Sequence, residues 1–166
     1  MLNKYPLLQA AIENLKENEH LLVKRHLFQY VDEQNTILQI ENCKLILDSL
    51  DQNKSYLDYG MGVGILEYVN ELEYGHNITG SDCMGHISAD FYSHFRSLLG
   101  QECKHIYNKI TDNNFEVDIP EQYDAVIVLR PTNRVFENID KIKFPASELI
   151  LKFDNGEHNV YETRNI

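Results

Sequence analysis

The stretch Asp58-Tyr59-Gly60-Met61-Gly62-Val63-Gly64 gathers the residues of this chain best suited to chemistry. One acid is followed by three glycines at alternate positions, and Asp82 closes the next strand-like run. Glycines at a strand-to-helix turn let a ligand approach the backbone N–H groups of a helix N-terminus closely. An acid about 20 residues further on can accept hydrogen bonds from ribose hydroxyls. The combination points to a cofactor of nucleotide type.

Spacing and charge narrow that class. A dinucleotide fingerprint is written G-x-G-x-x-G, and here Ile65 stands where the third glycine belongs. A phosphate-binding P-loop needs Gly-Lys-Ser/Thr, which does not follow. The formal net charge is −11. No Lys or Arg lies between Lys54 and Arg96, whereas Asp58, Glu67, Glu71, Glu73, Asp82 and Asp90 all do. A dianionic pyrophosphate is poorly served by such surroundings, even with helix N–H groups helping. Nucleic acid needs cations along its phosphate path, so no nucleic-acid partner is expected.

These residues need a strand, a turn, a helix and a second strand to hold them, and the pattern supplies that order. The chain has 166 residues, 43% of them hydrophobic, which suits one domain spanning 1–166. Residues 1–50 read as about three helices, from Leu8, Ile12 and Leu15, from Leu27 and Val31, and from Ile40, Cys43, Leu47 and Leu50. Glu17-Asn18-Glu19 and Asp32-Glu33-Gln34-Asn35 are the expected breaks. This block is expected to form an N-terminal helical cap on an α/β core over 51–166. Within the core a strand enters the glycine turn, and Ile65, Val69 and Leu72 mark a helix closed by Gly75. A strand over 76–82, a helix over 87–99 and a strand over 104–110 follow. Residues 124–130 form a β-branched run suited to a central parallel strand, with a helix expected over 133–142 and a strand over 148–153. Asp154-Asn155-Gly156-Glu157 signals a hairpin into 160–163. The expected fold is therefore α/β, a doubly wound, mostly parallel sheet of about six strands ending in an antiparallel hairpin.

At this level the chain resembles the class I S-adenosylmethionine-dependent methyltransferases, a Rossmann-like superfamily. Residues 58–64 look like that family's motif I, written D/E-x-G-x-G-x-G. Asp82 falls at the acid ending strand two, Ile110 to Phe115 resembles the adenine-facing segment after strand three, and Gln122 to Leu129 resembles the fourth-strand motif. The resemblance implies S-adenosylmethionine as cofactor. It implies contacts from Asp58, Gly60, Met61, Gly62 and Gly64 to the methionine part, and from Asp82 and Cys83 around the ribose. Asp112, Asn113 and Phe115 would then meet the adenine. S-adenosylmethionine carries a net charge of +1, which agrees with acidic surroundings.

The same residues have plainer readings. Residues 60–64 can be only a tight turn, Asp82 a helix cap, Asp112 ordinary turn chemistry and Phe115 core. Tyr123-Asp124 is read for fold and not for site. The residues after the fourth strand, Leu129-Arg130-Pro131-Thr132-Asn133-Arg134, carry no amide-aligning motif, and Arg130 and Arg134 suit an acidic small acceptor or plain solvation. His86 and His158 are candidate bases by loop position only, so the catalytic residues are not assigned.

No metal site is expected, since the histidines and Cys43, Cys83 and Cys103 lack ligand spacing. No apolar run is long enough for a membrane span and no signal peptide opens the chain, so a cytoplasmic location is expected. The functional expectation is a methyltransferase for a small-molecule substrate. The alternatives are a non-catalytic scaffold or partner subunit of the same fold and, more remotely, a nicotinamide-dependent oxidoreductase. The terminal hairpin exposes an edge that allows a homodimer.

Overall fold

The computed structural model describes residues 2–83, 88–106 and 115–166. Contacts divide the chain into two compact units. One comprises Met1–Asp51, Gly62–His76 and Gly85–Glu102; the other comprises Gln52–Met61, Asn77–Met84 and Cys103–Ile166.

The first unit is helical. Helix α1 (Pro6–Glu17) opens with proline in its first turn, where the missing N–H is no loss, and buries Leu8, Ala11, Ile12 and Leu15 along one stripe. Helix α2 (Glu33–Leu47) is capped by Asp32, whose carboxylate accepts the Gln34 N–H at 3.1 Å. The break expected at 32–35 falls at Asp32, between the 3-10 helix ending at Val31 and α2, and Glu33, Gln34 and Asn35 already belong to α2. Residues Arg25–Val31 form a 3-10 helix in place of a full middle α-helix, and Leu27 is its buried residue. Helix α3 (Ile65–Glu73) ends at Gly75, whose N–H reaches back to the Asn70 carbonyl at 2.8 Å. Helix α4 (Ala89–Leu98) buries Phe91 and Phe95, and the Tyr30 ring lies 5.5 and 6.3 Å from theirs. Leu99, rather than the expected Leu98, is the buried leucine at that end.

The second unit holds the sheet. Strands β1 (Ser55–Tyr59), β2 (Asn77–Cys83), β3 (Lys104–Ile106), β4 (Tyr123–Leu129), β5 (Ala146–Asp154) and β6 (Asn159–Asn165) lie in the order β3-β2-β1-β4-β5-β6. All neighbours are parallel except β5 and β6, which form the antiparallel hairpin. From β1 the order grows one way to β3 and the other way from β4, so the β1/β4 junction is the topological switch point. Ala125, Val126, Ile127 and Val128 of β4 are fully buried in succession, as a central parallel strand shielded on both faces requires. Leu57, Val126, Val128, Leu149, Leu151 and Phe153 share one core. Helix α5 (Asn133–Glu137) has five residues, shorter than expected, and Phe136 stacks on Phe153 with ring centroids 4.1 Å apart. Asp124 joins β4 to β1, accepting from the Ser55 N–H at 2.7 Å and from its hydroxyl at 3.2 Å. Its role is in the fold, as expected. Among the described residues no helix is long and apolar enough to cross a membrane.

Candidate functional site

Asp58 is buried near the end of β1, with Gly80 of β2 on one side in register and Ile127 of β4 on the other. Its carboxylate therefore stands at the switch point, where ligands of open α/β sheets bind beyond the strand ends. Glycine at 80 leaves the Asp58 side chain without a β-carbon neighbour on β2.

The turn after β1 is held from β2 by a residue that the sequence reading passed over. Ser81 is fully buried. Its hydroxyl donates to the Asp58 carbonyl at 2.7 Å, while its own carbonyl accepts the N–H groups of Gly60 at 2.9 Å and Met61 at 2.8 Å. Ser81 so couples the acid-glycine turn to the strand that carries Asp82. A serine between a glycine and an aspartate at the end of a strand was the available signal. Two N–H groups of the turn are thereby committed to β2, ahead of those at the N-terminus of α3. The turn here is less suited to a pyrophosphate than a glycine-rich sequence alone implies.

Gly60, Gly62 and Gly64 have φ of 88°, 56° and 86°, a region that L side chains rarely occupy. A β-carbon placed on Gly60 or Gly62 would meet no described atom within 4 Å, so this side of the turn is open. Gly64 caps α3 in the left-handed conformation. Met61 is buried and gives the turn an apolar anchor.

A correction concerns charge. Arg96, buried on α4, donates from Nη1 to the Gly62 carbonyl at 2.6 Å. The turn is not free of cations, as the sequence suggested; the nearest one downstream folds back onto it. That guanidinium is engaged with backbone, so it fixes the turn as well as adding charge.

Asp82 lies near the end of β2, half-buried, in register with His105 of β3. One carboxylate oxygen accepts the Cys83 N–H at 2.7 Å. Asp58, Gly60, Met61, Asp82 and Cys83 therefore lie together at adjacent strand ends of the sheet unit, tied by Ser81, whereas Gly62 and Gly64 belong to the helical unit. Phe115 is held differently: the Lys141 ammonium lies 5.7 Å from its ring centroid and the Lys143 N–H donates to its carbonyl at 2.7 Å. One face of that ring already has a cation against it. Asp112, Asn113 and His86 lie outside the described residues. His158 is exposed in the hairpin, its ring 5.5 Å from that of Phe136. Arg130, just past β4, is exposed and has φ of 52°, unusual for a residue with a side chain.

In strand order, glycine turn and terminal antiparallel hairpin, this is the Rossmann-like fold of the class I S-adenosylmethionine-dependent methyltransferases. No family model matches the chain, and no curated protein matches it. Among solved structures the chain is similar to the mitomycin 7-O-methyltransferase MmcR, with 17% identity over 78% of this chain and 39% of that one, at a TM-score of 0.49. It is similar to coclaurine N-methyltransferase bound to N-methylheliamine and SAH, with 19% identity over 70% and 35% of the two chains, at 0.38. A variant of MtNAS in complex with S-adenosylmethionine gives 17%, 90%, 55% and 0.45 for the same measures. The chain thus spans 35% to 55% of the length of these proteins.

Proposed function

We propose that the chain binds S-adenosylmethionine at the β1 turn and transfers its methyl group to a small-molecule acceptor. One observation carries the reading: Asp58 and Asp82 stand on adjacent parallel strand ends beside the switch point, joined through Ser81 to an open glycine turn whose first two N–H groups are already bonded. Two bonded N–H groups and two carboxylates on adjoining strand ends favour a cationic ligand over a phosphate, the one guanidinium at the turn being engaged with the Gly62 carbonyl. The chemistry fits the residues. Asp82 would accept from the ribose hydroxyls, Asp58 would stand near the ammonium, and Gly60 and Gly62 would admit the methionine part on their open side.

When bound, the cofactor supplies a methyl group already activated by its sulfonium. The chain's part is then to place an acceptor in line with that methyl and keep it there, which supplies most of the acceleration.

Calorimetric and thermal-shift titrations with S-adenosylmethionine, its demethylated product and NAD test the reading. The two sulfur compounds should raise the melting midpoint at millimolar concentration and NAD should not. Asp82→Ala should abolish the shift. No response to either sulfur compound would sink the cofactor, and an undiminished response in Asp82→Ala would sink the assignment of that residue.

A second reading, a methyltransferase-like binding or scaffold protein without turnover, is favoured by the segment after β4. There Arg130 is left-handed, α5 is five residues long, and no motif for aligning an amide nitrogen is present. Screening acceptors for methyl uptake separates the two readings once cofactor binding is established.

A further inference from the structure

Arg130 stands just past β4 in a backbone conformation that few side chains accept. Its φ is 52°, and among the described residues no other non-glycine has a positive φ. Glycine, asparagine and aspartate are the usual occupants of that region, and residues of other types kept in it cluster at active sites and ligand clamps. The sheet holds Arg130 in place: its N–H donates to the Lys152 carbonyl of β5 at 2.8 Å, and Pro131 follows. The position borders the switch point. Asp58 of β1 and Ile127 of β4 share a register row, and Arg130 lies three residues beyond it, about 10 Å of chain past the row.

The guanidinium is also unspent. In the sheet unit Lys54, Lys104, Lys143 and Arg164 are paired with carboxylates, and Lys141 and Lys152 lie over aromatic rings. Among the described cations of that unit, the side chains of Arg130 and Arg134 have no such partner, and both are exposed. Arg134 lies on α5, an ordinary place for a solvated charge. The chain has 26 acids to 15 Lys and Arg, so an open guanidinium beside the ligand site is not left so for want of carboxylates. We propose that Arg130 anchors an anionic oxygen group, a carboxylate or a phosphate, on the small-molecule methyl acceptor. Its planar fork of N–H donors meets two oxygens of either group at once, which a lysine cannot do. Charge then sorts the two ligands across β1. Asp58 and Asp82, at the β1 and β2 ends, suit the cationic cofactor, and Arg130, at the β4 end on the other side of β1, suits an anion. The anion site stands on Arg130 itself; that its occupant accepts a methyl group rests on the proposed function.

Titration of the whole chain with benzoate and with inorganic phosphate, against chloride at matched ionic strength, tests this by NMR of the Arg130 Nε–H. Both probes should shift that resonance saturably, with dissociation constants of about 1–20 mM, and chloride should not. The tighter of the two probes names the group, carboxylate or phosphate. Arg130→Asn keeps a residue that tolerates positive φ, so its melting midpoint should not fall, while its affinity for both probes should drop at least about fivefold. Arg130→Lys keeps the charge without the fork and should lie between. Arg134→Gln removes the same charge four residues further on and should change either affinity by less than about twofold. Absence of a saturable shift at Arg130 overturns the proposal. So does an equal loss in Arg134→Gln, which would reduce the effect to bulk charge, or a lowered midpoint in Arg130→Asn with binding unchanged, which would make the arginine structural. S-adenosylhomocysteine titrated into the same sample reads the cofactor site separately. Its failure to bind, with the anion still held at Arg130, would remove the acceptor role and leave the anion site.

Discussion

At the scale of single residues, the glycine turn is the place where the backbone restricts the side chain most. Gly62 has φ of 56° and open space where a β-carbon would go, so a substitution there meets strain in the backbone and not a clash. Gly62→Ala should lower stability by about 1 kcal/mol, and Gly62→Asn by clearly less, because asparagine tolerates the left-handed region. Urea unfolding of the two variants checks this; equal losses would mean that something other than φ sets the cost. A second residue-level test lies at Tyr74, whose hydroxyl donates to Asp48 at 2.6 Å. Burial first, and then this hydrogen bond, push its pKa up to about 12. The unfolded tyrosine loses its proton at about 10, so between these values the unfolded state binds fewer protons and stability falls as pH rises. Tyr5, raised in the same direction by burial and by its bond to Glu73 at 2.7 Å, adds to the trend. Tyr74→Phe should cost stability near pH 8 and flatten the alkaline decline above about pH 10. A penalty that is the same near pH 8 and near pH 11 would contradict the assignment. In the sequence, Asp58, the three glycines and Asp82 were legible because their spacing is a pattern. Ser81 and Arg96 were not, because a hydroxyl bonded to a distant carbonyl and an arginine folded back from another helix leave no periodic trace.

At the scale of elements, the errors of the sequence reading have local causes. Asp32-Glu33-Gln34-Asn35 looks like a break because it is polar, but Asp32 is a cap and the next residues form the exposed first turn of α2. Asp32→Ala should therefore destabilise the chain by about 1 kcal/mol, and Asp32→Ser by much less; denaturant midpoints give the comparison. An equal loss in both would remove the cap as the cause. Helix α5 was expected to run to 142 because apolar residues recur through Ile139 and Ile142. It stops at Glu137, where the Asn138 side chain bonds back to the Arg134 carbonyl at 2.8 Å and Phe136 is engaged with Phe153. A side chain that satisfies the last turn ends a helix as well as a glycine does, and its effect cannot be read from hydrophobic period. Strands β4 and β5 were plain for the opposite reason: Ala125 to Val128 and Leu149 to Leu151 are apolar runs buried in succession and admit few alternatives.

At the scale of the whole molecule, a mostly parallel sheet was legible because strand and helix alternate along the chain, and the Asp154 to Glu157 turn marked the final reversal; the order of the strands came from the structure. What stayed illegible was the division of the chain, since neither unit is continuous in sequence: each is built from three separate segments. That interleaving has a consequence for how the chain comes to its fold. The β5–β6 hairpin closes over a few residues, whereas β1 meets β4 by setting Tyr56 beside Ala125, across most of the intervening chain. Closing the longer loop costs more chain entropy than closing the hairpin, so the hairpin is the easier of the two contacts to form. The switch point, and with it the acid-glycine turn, thus depends on the costlier of the two closures. A chain holding the hairpin alone would have one edge of its sheet and still lack the junction at which Asp58 stands.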